Sequence, residues 1–246
     1  MESFTVSLAE IPIGVKPYCA GMRPFFADFL SEETPCFSVS PSADDLEYEQ
    51  LVWDRRNRKS GSPSPLSQRN LERMALLRLI ANRLPEYDTI LFHGAAVAVD
   101  GNAYLFAARS GTGKTTHIRL WLQQLPQAYI LNGDKPFLKV SGNDRILVCG
   151  TPWRGKERLG CSEILPLKAI CILERAKDNR ICSVTPKDAS QALLHQVHIP
   201  DGVAGVRTIH LLNRICREVP LFRLGCNMDP EAAQVSIRAM LAKDCV

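Results

Sequence analysis

The sequence predicts an α/β protein built on a mixed sheet, with a phosphate-binding turn between one strand and the helix that follows it. Three observations predict this. A Gly-x-Gly-Lys-Thr run, Gly111 to Thr115, follows an apolar strand-like segment and opens an apolar-periodic helix through Leu125. Two apolar runs, Thr89 to Val99 and Asn102 to Ala107, meet at Asp100-Gly101, a residue pair suited to a hairpin turn because it tolerates positive φ. Short apolar runs then alternate with helical patterns to the end of the chain.

The chain has 246 residues, room for one large domain or two small ones. Apolar residues make up 46% and charged residues 23%, a balance that excludes a disordered, collagen-like or coiled-coil chain. Apolar runs such as Ala95 to Val99 fall far short of the ~18 residues of a membrane span. Glu2, Glu10 and Lys16 interrupt any secretory core, so no membrane association is expected. The net charge of +4 does not call for a polyanion. Arg55, Arg56, Arg58 and Lys59 read as an exposed charge run, and a nucleic-acid partner is not expected. Nine cysteines, odd in number and without a Cys-x-x-Cys, read as reduced thiols of a cytoplasmic protein.

Residues 1–69 are expected to form a small β-rich N-terminal extension. Strands fit Phe4 to Leu8 and Cys36 to Ser40, and helices fit Met22 to Leu30 and Asp44 to Glu49. The basic, Ser/Pro-rich stretch Arg55 to Arg69 reads as a linker. Residues 70–246 are expected to form the catalytic domain. It opens on a helix whose apolar stripe is Leu76, Leu77, Ile80, Ala81 and Leu84, ended by Pro85. Further strands fit Tyr129 to Leu131, Phe137 to Val140, Ile146 to Cys149 and Ala169 to Leu173. Helices fit Pro186 to Val197, Gly202 to Val219 and the segment after Asp229, the first and last opened by a capping residue and a proline.

Ala108 to Thr115 matches the phosphate-loop pattern G-x-x-x-x-G-K-[ST] except at Ala108, a position that mainly has to be compact. Gly111 and Gly113 let backbone N–H groups turn inward around phosphate oxygens, and the following helix points its positive end at the same place. Lys114 suits the β- and γ-phosphates and the Thr115 hydroxyl suits Mg2+. Ser110, Gly111, Thr112, Gly113, Lys114, Thr115 and Thr116 are therefore the expected nucleotide-binding residues. Average composition makes a chance Gly-x-Gly-Lys-[Ser/Thr] in such a chain an event on the order of one per cent.

The order of features around this loop resembles the HPr kinase/phosphorylase family, which shares a nucleotide-binding core with the phosphoenolpyruvate carboxykinases. His93-Gly94 opens the hairpin, and Ser110 to Thr115 forms the loop. Asn132-Gly133-Asp134 closes the next strand, and Gly150-Thr-Pro-Trp-Arg-Gly-Lys-Glu157 follows. The likeness spans Leu71 to Leu241. It implies a phosphoenolpyruvate-carboxykinase-type P-loop kinase core that binds ATP and Mg2+ and moves the γ-phosphoryl group to a hydroxyl. Ser or Thr of a small protein or peptide is the first acceptor, with a small hydroxyl-bearing substrate beside it. Ring-like homo-oligomers are a habit of the family.

The resemblance implies roles for particular residues. Asp134 is expected as metal ligand or base, where the family usually carries two adjacent aspartates and this chain has Gly133-Asp134. Arg154 and Lys156 are of the type that meets the charge of a transferring phosphoryl group. Glu157 is a second metal-side carboxylate, Trp153 packs the loop or stacks on a base, and His93 is a ligand-side or proton-handling group. His195 and His198 read as structural. Gly133 keeps open a nucleotide-binding regulator without transfer activity. An ATPase or GTPase switch ranks behind it, since no N-K-x-D signature is present.

Overall fold

Asp100 and Gly101 both take positive φ, 48° and 72°, and turn the strand Ala95–Val99 back on Asn102–Ala107 in antiparallel register, Val99 opposite Asn102. The hairpin read from the sequence therefore leads straight into the glycine-rich turn. The computed structural model describes residues 2–57, 66–109, 111–142 and 145–242. These fall into two units, Met1–Arg83 and Leu84–Val246.

The first unit carries strands β1 (Phe4–Leu8), β2 (Ile11–Val15), β3 (Leu30–Ser31) and β4 (Phe37–Val39), in the order β3-β1-β2-β4. It also carries helices α1 (Ala43–Asn57) and α2 (Gln68–Arg83). A division after residue 69 is not where the contacts divide the chain, because α2 belongs to this unit. Its Arg78 pairs with Asp45 at 2.8 Å and Glu49 at 2.7 Å on α1. Its Glu72, fully buried, accepts the backbone N–H groups of Tyr18 and Cys19 at 2.7 and 2.9 Å. The helix expected at Met22 to Leu30 is a 3-10 helix, Arg23–Phe29, with non-helical backbone at Phe26. The expected linker falls largely on residues 58–65, outside the described residues, and Arg55 and Arg56 before it belong to α1.

The second unit is a nine-stranded mixed sheet. Its strands are β5 (Thr89–Leu91), β6 (Ala95–Val99), β7 (Asn102–Ala107), β8 (Tyr129–Asn132), β9 (Phe137–Val140), β10 (Ile146–Cys149), β11 (Ile164–Arg175), β12 (Arg180–Ser183) and β13 (Leu221–Cys226). The path runs β5-β9-β10-β11-β7-β6-β8, with β13 also beside β11 and β12 beside β13. The run Thr89 to Val99, expected as one strand, is two. β5 pairs with β9 while β6 pairs with β7 and β8. The break falls at His93-Gly94, where a Cβ on Gly94 would stand 2.9 Å from the Phe106 carbonyl oxygen.

Helices α3 (Lys114–Gln124), α4 (Pro186–Leu194), α5 (Gly202–Glu218) and α6 (Pro230–Met240) cover the sheet. Strand β7 shows how. Ala103, Leu105 and Ala107 pack with Leu193 of α4 and Leu212 and Ile215 of α5. Tyr104 and Phe106 pack with Trp121 of α3 and Ala233 of α6. Side chains alternate between faces with period two, so a strand buried on both faces reads as a continuous apolar run.

Candidate functional site

The turn after β7 has the shape its residue types call for. Gly111 and Gly113 take φ of 77° and 120°, and open space lies where a Cβ on either would stand. Gly113 is the N-cap of α3 and gives it no side-chain cap, so first-turn N–H groups stay available for an anion. Ala108 is buried and its φ is not positive, so the departure from glycine there carries no backbone strain. The ammonium of Lys114 donates to the Ala108 carbonyl at 3.0 Å, folding the lysine back over the loop. Burial pushes the Lys114 pKa down, Asp134 opposes that shift, and Lys135 adds to it. Thr115 and Thr116 are exposed at the helix start, and Ser110 lies outside the described residues.

Arg175, at the end of β11, braces the loop from the neighbouring parallel strand. Its guanidinium donates to the Gly111 carbonyl at 2.5 Å and to the Thr112 carbonyl at 3.5 Å. Holding those carbonyls outward turns the N–H of the same peptide planes the other way. Sequence reading missed Arg175, because nothing local announces it. Only the register that sets Ile172 opposite Ala107 brings it to the loop.

On the other side of β7, Asn132 ends β8 and is fully buried. Its Oδ1 accepts the N–H groups of Asp134 and Lys135 at 2.9 and 2.8 Å. Its amide donates to the Thr151 hydroxyl at 3.0 Å, and that hydroxyl donates to the Lys135 carbonyl at 2.8 Å. Two residues that carried no assigned role, Asn132 and Thr151, thus shape the turn that presents Asp134. An Asn before Gly-Asp is itself the signal of such a turn.

The Asp134 carboxylate lies 3.2 Å from Nε2 of His93, and the Asp134 carbonyl accepts the Gly94 N–H at 3.0 Å. Burial pushes the Asp134 pKa up, but the His93 hydrogen bond and the Lys135 and Lys114 charges outweigh it and hold the carboxyl below its usual range. Gln196 ties this pair to the loop. Its carbonyl accepts the His93 N–H at 2.6 Å, and its side-chain amide, oriented to satisfy both its atoms, donates to the carbonyls of His93 at 2.9 Å and Ala108 at 3.3 Å.

The segment Gly150 to Glu157 docks on the same turn. Gly133 donates its N–H to the Leu159 carbonyl at 3.0 Å. A Cβ on Gly155, which takes φ of 75°, would stand 3.1 Å from the Asp134 Cβ, so the segment's backbone packs on the Asp134 turn. A Cβ on Gly133 would meet the carbonyl oxygens of Arg154 at 3.0 Å and Leu159 at 3.2 Å. The backbone of the docked segment therefore presses close on Gly133. Arg154 is half-buried and Lys156 exposed. Glu157 pairs with Arg119 of α3 at 2.8 Å. Trp153 is buried and stacks on Phe137, with ring centroids 6.4 Å apart, so it packs the loop and offers no platform for a base.

Among the described residues no cluster of three or more His, Cys, Asp or Glu could hold a metal, and the described cysteines form no disulfide. No helix among them is long and apolar enough to cross a membrane.

Fold and site together define a mixed-sheet α/β protein whose glycine-rich strand-to-helix turn faces a His–Asp pair. No family profile and no curated protein matches the chain. Among solved structures it is similar to the HPr(Ser) kinase/phosphatase from Coxiella burnetii, at 10% sequence identity and a TM-score of 0.36, over 61% of this chain and 90% of that one.

Proposed function

We propose that the chain is an ATP-dependent phosphotransferase of the HPr kinase type that moves the γ-phosphoryl group to a hydroxyl acceptor, first a Ser or Thr of a small protein or peptide. One observation carries the reading. An ionised carboxylate oriented by a histidine, Asp134 with His93, shares its electrostatic surroundings with the lysine of a glycine-rich loop at a helix N-terminus.

In this reading the N–H groups of Gly111 to Thr115 hold the phosphates, and Lys114 meets the charge that spreads over the transferring group. His93 occupies one oxygen of Asp134. The other accepts the hydroxyl proton as the acceptor oxygen attacks phosphorus, and the nucleoside diphosphate leaves. Arg154 and Lys156 supply further cations from the docked segment. Thr115 would hold Mg2+, which neutralises phosphate charge; Asp134 would join it only in place of acting as the base, and Glu157 only by leaving Arg119.

Incubation with γ-labelled ATP, Mg2+ and candidate acceptors tests the proposal, with Lys114→Ala as control. Labelled acceptor supports it, and free phosphate alone points to an ATPase switch. A second reading, a nucleotide-binding regulator without transfer, is favoured by Gly133, which leaves Asp134 without a second carboxylate beside it and where a side chain would press on the Arg154 and Leu159 carbonyls. Tight ATP binding with no turnover supports that one.

A further inference from the structure

Gln196 holds both polar groups of the His93 backbone. Its main-chain carbonyl accepts the His93 N–H at 2.6 Å, and its side-chain amide donates to the His93 carbonyl at 2.9 Å. Those two groups belong to the two peptide planes that flank His93, so one residue sets the turn that aims the imidazole at Asp134. Gln196 is itself buried and anchored, since its N–H donates at 2.9 Å to the carbonyl of Leu193, a fully buried residue of α4. The same side-chain amide reaches the Ala108 carbonyl at 3.3 Å, and the Lys114 ammonium donates to that oxygen at 3.0 Å. A carbonyl oxygen has two lone pairs, and these two donors occupy them. The lysine of the loop and the clamp on His93 therefore share one acceptor.

We infer that Gln196 is a positioning residue that couples phosphate occupancy of the loop to the placement of His93, an inference that rests on the phosphate-loop reading above. Anionic phosphate oxygens draw an ammonium more strongly than a neutral carbonyl does, so a bound triphosphate takes Lys114 away from Ala108. Ala108 is buried, and a buried carbonyl that loses its partner costs free energy. The Gln196 amide is the donor already in place to satisfy it. In the empty loop that bond is slack, at 3.3 Å against the roughly 2.7–3.2 Å of ordinary N–H···O bonds. Departure of the lysine lets it tighten. The amide's second hydrogen stays on the His93 carbonyl, so the tightening stiffens the backbone that carries the imidazole. His93 is then held firmly beside Asp134 when a phosphoryl donor is bound. Coupling of this kind is reciprocal, so the closed clamp favours the triphosphate by the same factor.

Amide hydrogen exchange at His93, followed by NMR with and without saturating Mg2+-ATP, tests the inference, and calorimetry on the same preparations establishes binding separately. In the wild type, protection of the His93 N–H is expected to rise at least about fivefold with Mg2+-ATP, the low end of coupling between two sites. Gln196→Leu keeps the bulk and the main-chain bond but has no amide. It is expected to lose that rise and to bind ATP about fivefold more weakly. Lys114→Ala without nucleotide is expected to show the raised protection already, because the lysine no longer shares Ala108. A residue that only fills space would not produce that change, and this arm decides the matter if Gln196→Leu fails to fold. Wild type that binds ATP with unchanged His93 protection, an equal rise in Gln196→Leu, or empty Lys114→Ala protected no better than empty wild type overturns the inference and leaves the loop reading standing. A wild type that gives no heat with Mg2+-ATP overturns the loop reading, and the inference with it.

Discussion

The imidazole of His93 and the carboxylate of Asp134 meet at 3.2 Å although they come from different strand ends, because Gly94 and Asn132 fix the two turns that carry them. A base oriented this way contributes roughly 10²–10⁴-fold to a proton-transfer step. Asp134→Asn is expected to reduce transfer by that order and His93→Ala by about tenfold or more. His93→Ala is expected to leave nucleotide affinity near wild type. Initial rates and calorimetry on the same preparations check both, and an unchanged rate in Asp134→Asn removes the assigned role.

Arg175 braces the loop through two carbonyls and touches no phosphate in this reading. Arg175→Ala is expected to weaken triphosphate binding by about tenfold, the equivalent of one charge-assisted hydrogen bond, or about 1.4 kcal/mol. Arg175→Lys is expected to recover part of it, since one ammonium can reach one carbonyl but cannot fork to two. Thermal midpoints should stay close to wild type, because the arginine is exposed.

His117 sits one turn into α3, buried against Phe106, with Nε2 3.0 Å from the hydroxyl of Ser236 on α6, which also takes the indole N–H of Trp121 at 2.7 Å. Burial pushes its pKa down to about 4 from an unfolded value of 6.5. The unfolded chain therefore binds the proton first, and stability falls as pH drops below 6.5 until the folded histidine also protonates near 4. The linkage comes to about 2 kcal/mol lost at pH 5 and about 3 kcal/mol at pH 4. Denaturant midpoints between pH 7 and pH 4, compared with His117→Gln, isolate this contribution. A parallel decline in the variant contradicts it.

Gly133→Asp sets two aspartates side by side but places a Cβ 3.0 Å from the Arg154 carbonyl oxygen. Overpacking against fixed backbone costs about 1–3 kcal/mol. The variant is expected to lose stability on that order without gaining transfer activity. A faster enzyme of unchanged melting temperature would show that the docked segment moves freely.

Much of the second unit was legible because its signals are local. Asp100-Gly101 turns a hairpin wherever it stands between apolar runs, and Gly111 and Gly113 take the conformations that only glycine adopts cheaply. The start of α4 behaved likewise, with Thr185 accepting the Asp188 N–H and Pro186 at the first helical position. Strand β13 was not legible, because Leu221–Cys226 carries Arg223 and Gly225 and is held by parallel pairing to β11. The division of Thr89 to Val99 into two strands depends on the approach of Gly94 to Phe106, a tertiary fact. Among the residues that meet around the loop, Lys114, Asp134 and His93 could be picked out by type and order as candidates. Arg175 and Gln196 could not, since each acts through contacts set by sheet register and by α4.

Titration of Mg2+-ATP into the wild-type chain and into Lys114→Ala tests the central claim most directly. The expected result is a saturable heat in the wild type that falls by at least about tenfold in affinity when the lysine is removed. Absence of heat with any adenine or guanine triphosphate, or equal binding by the two proteins, contradicts it.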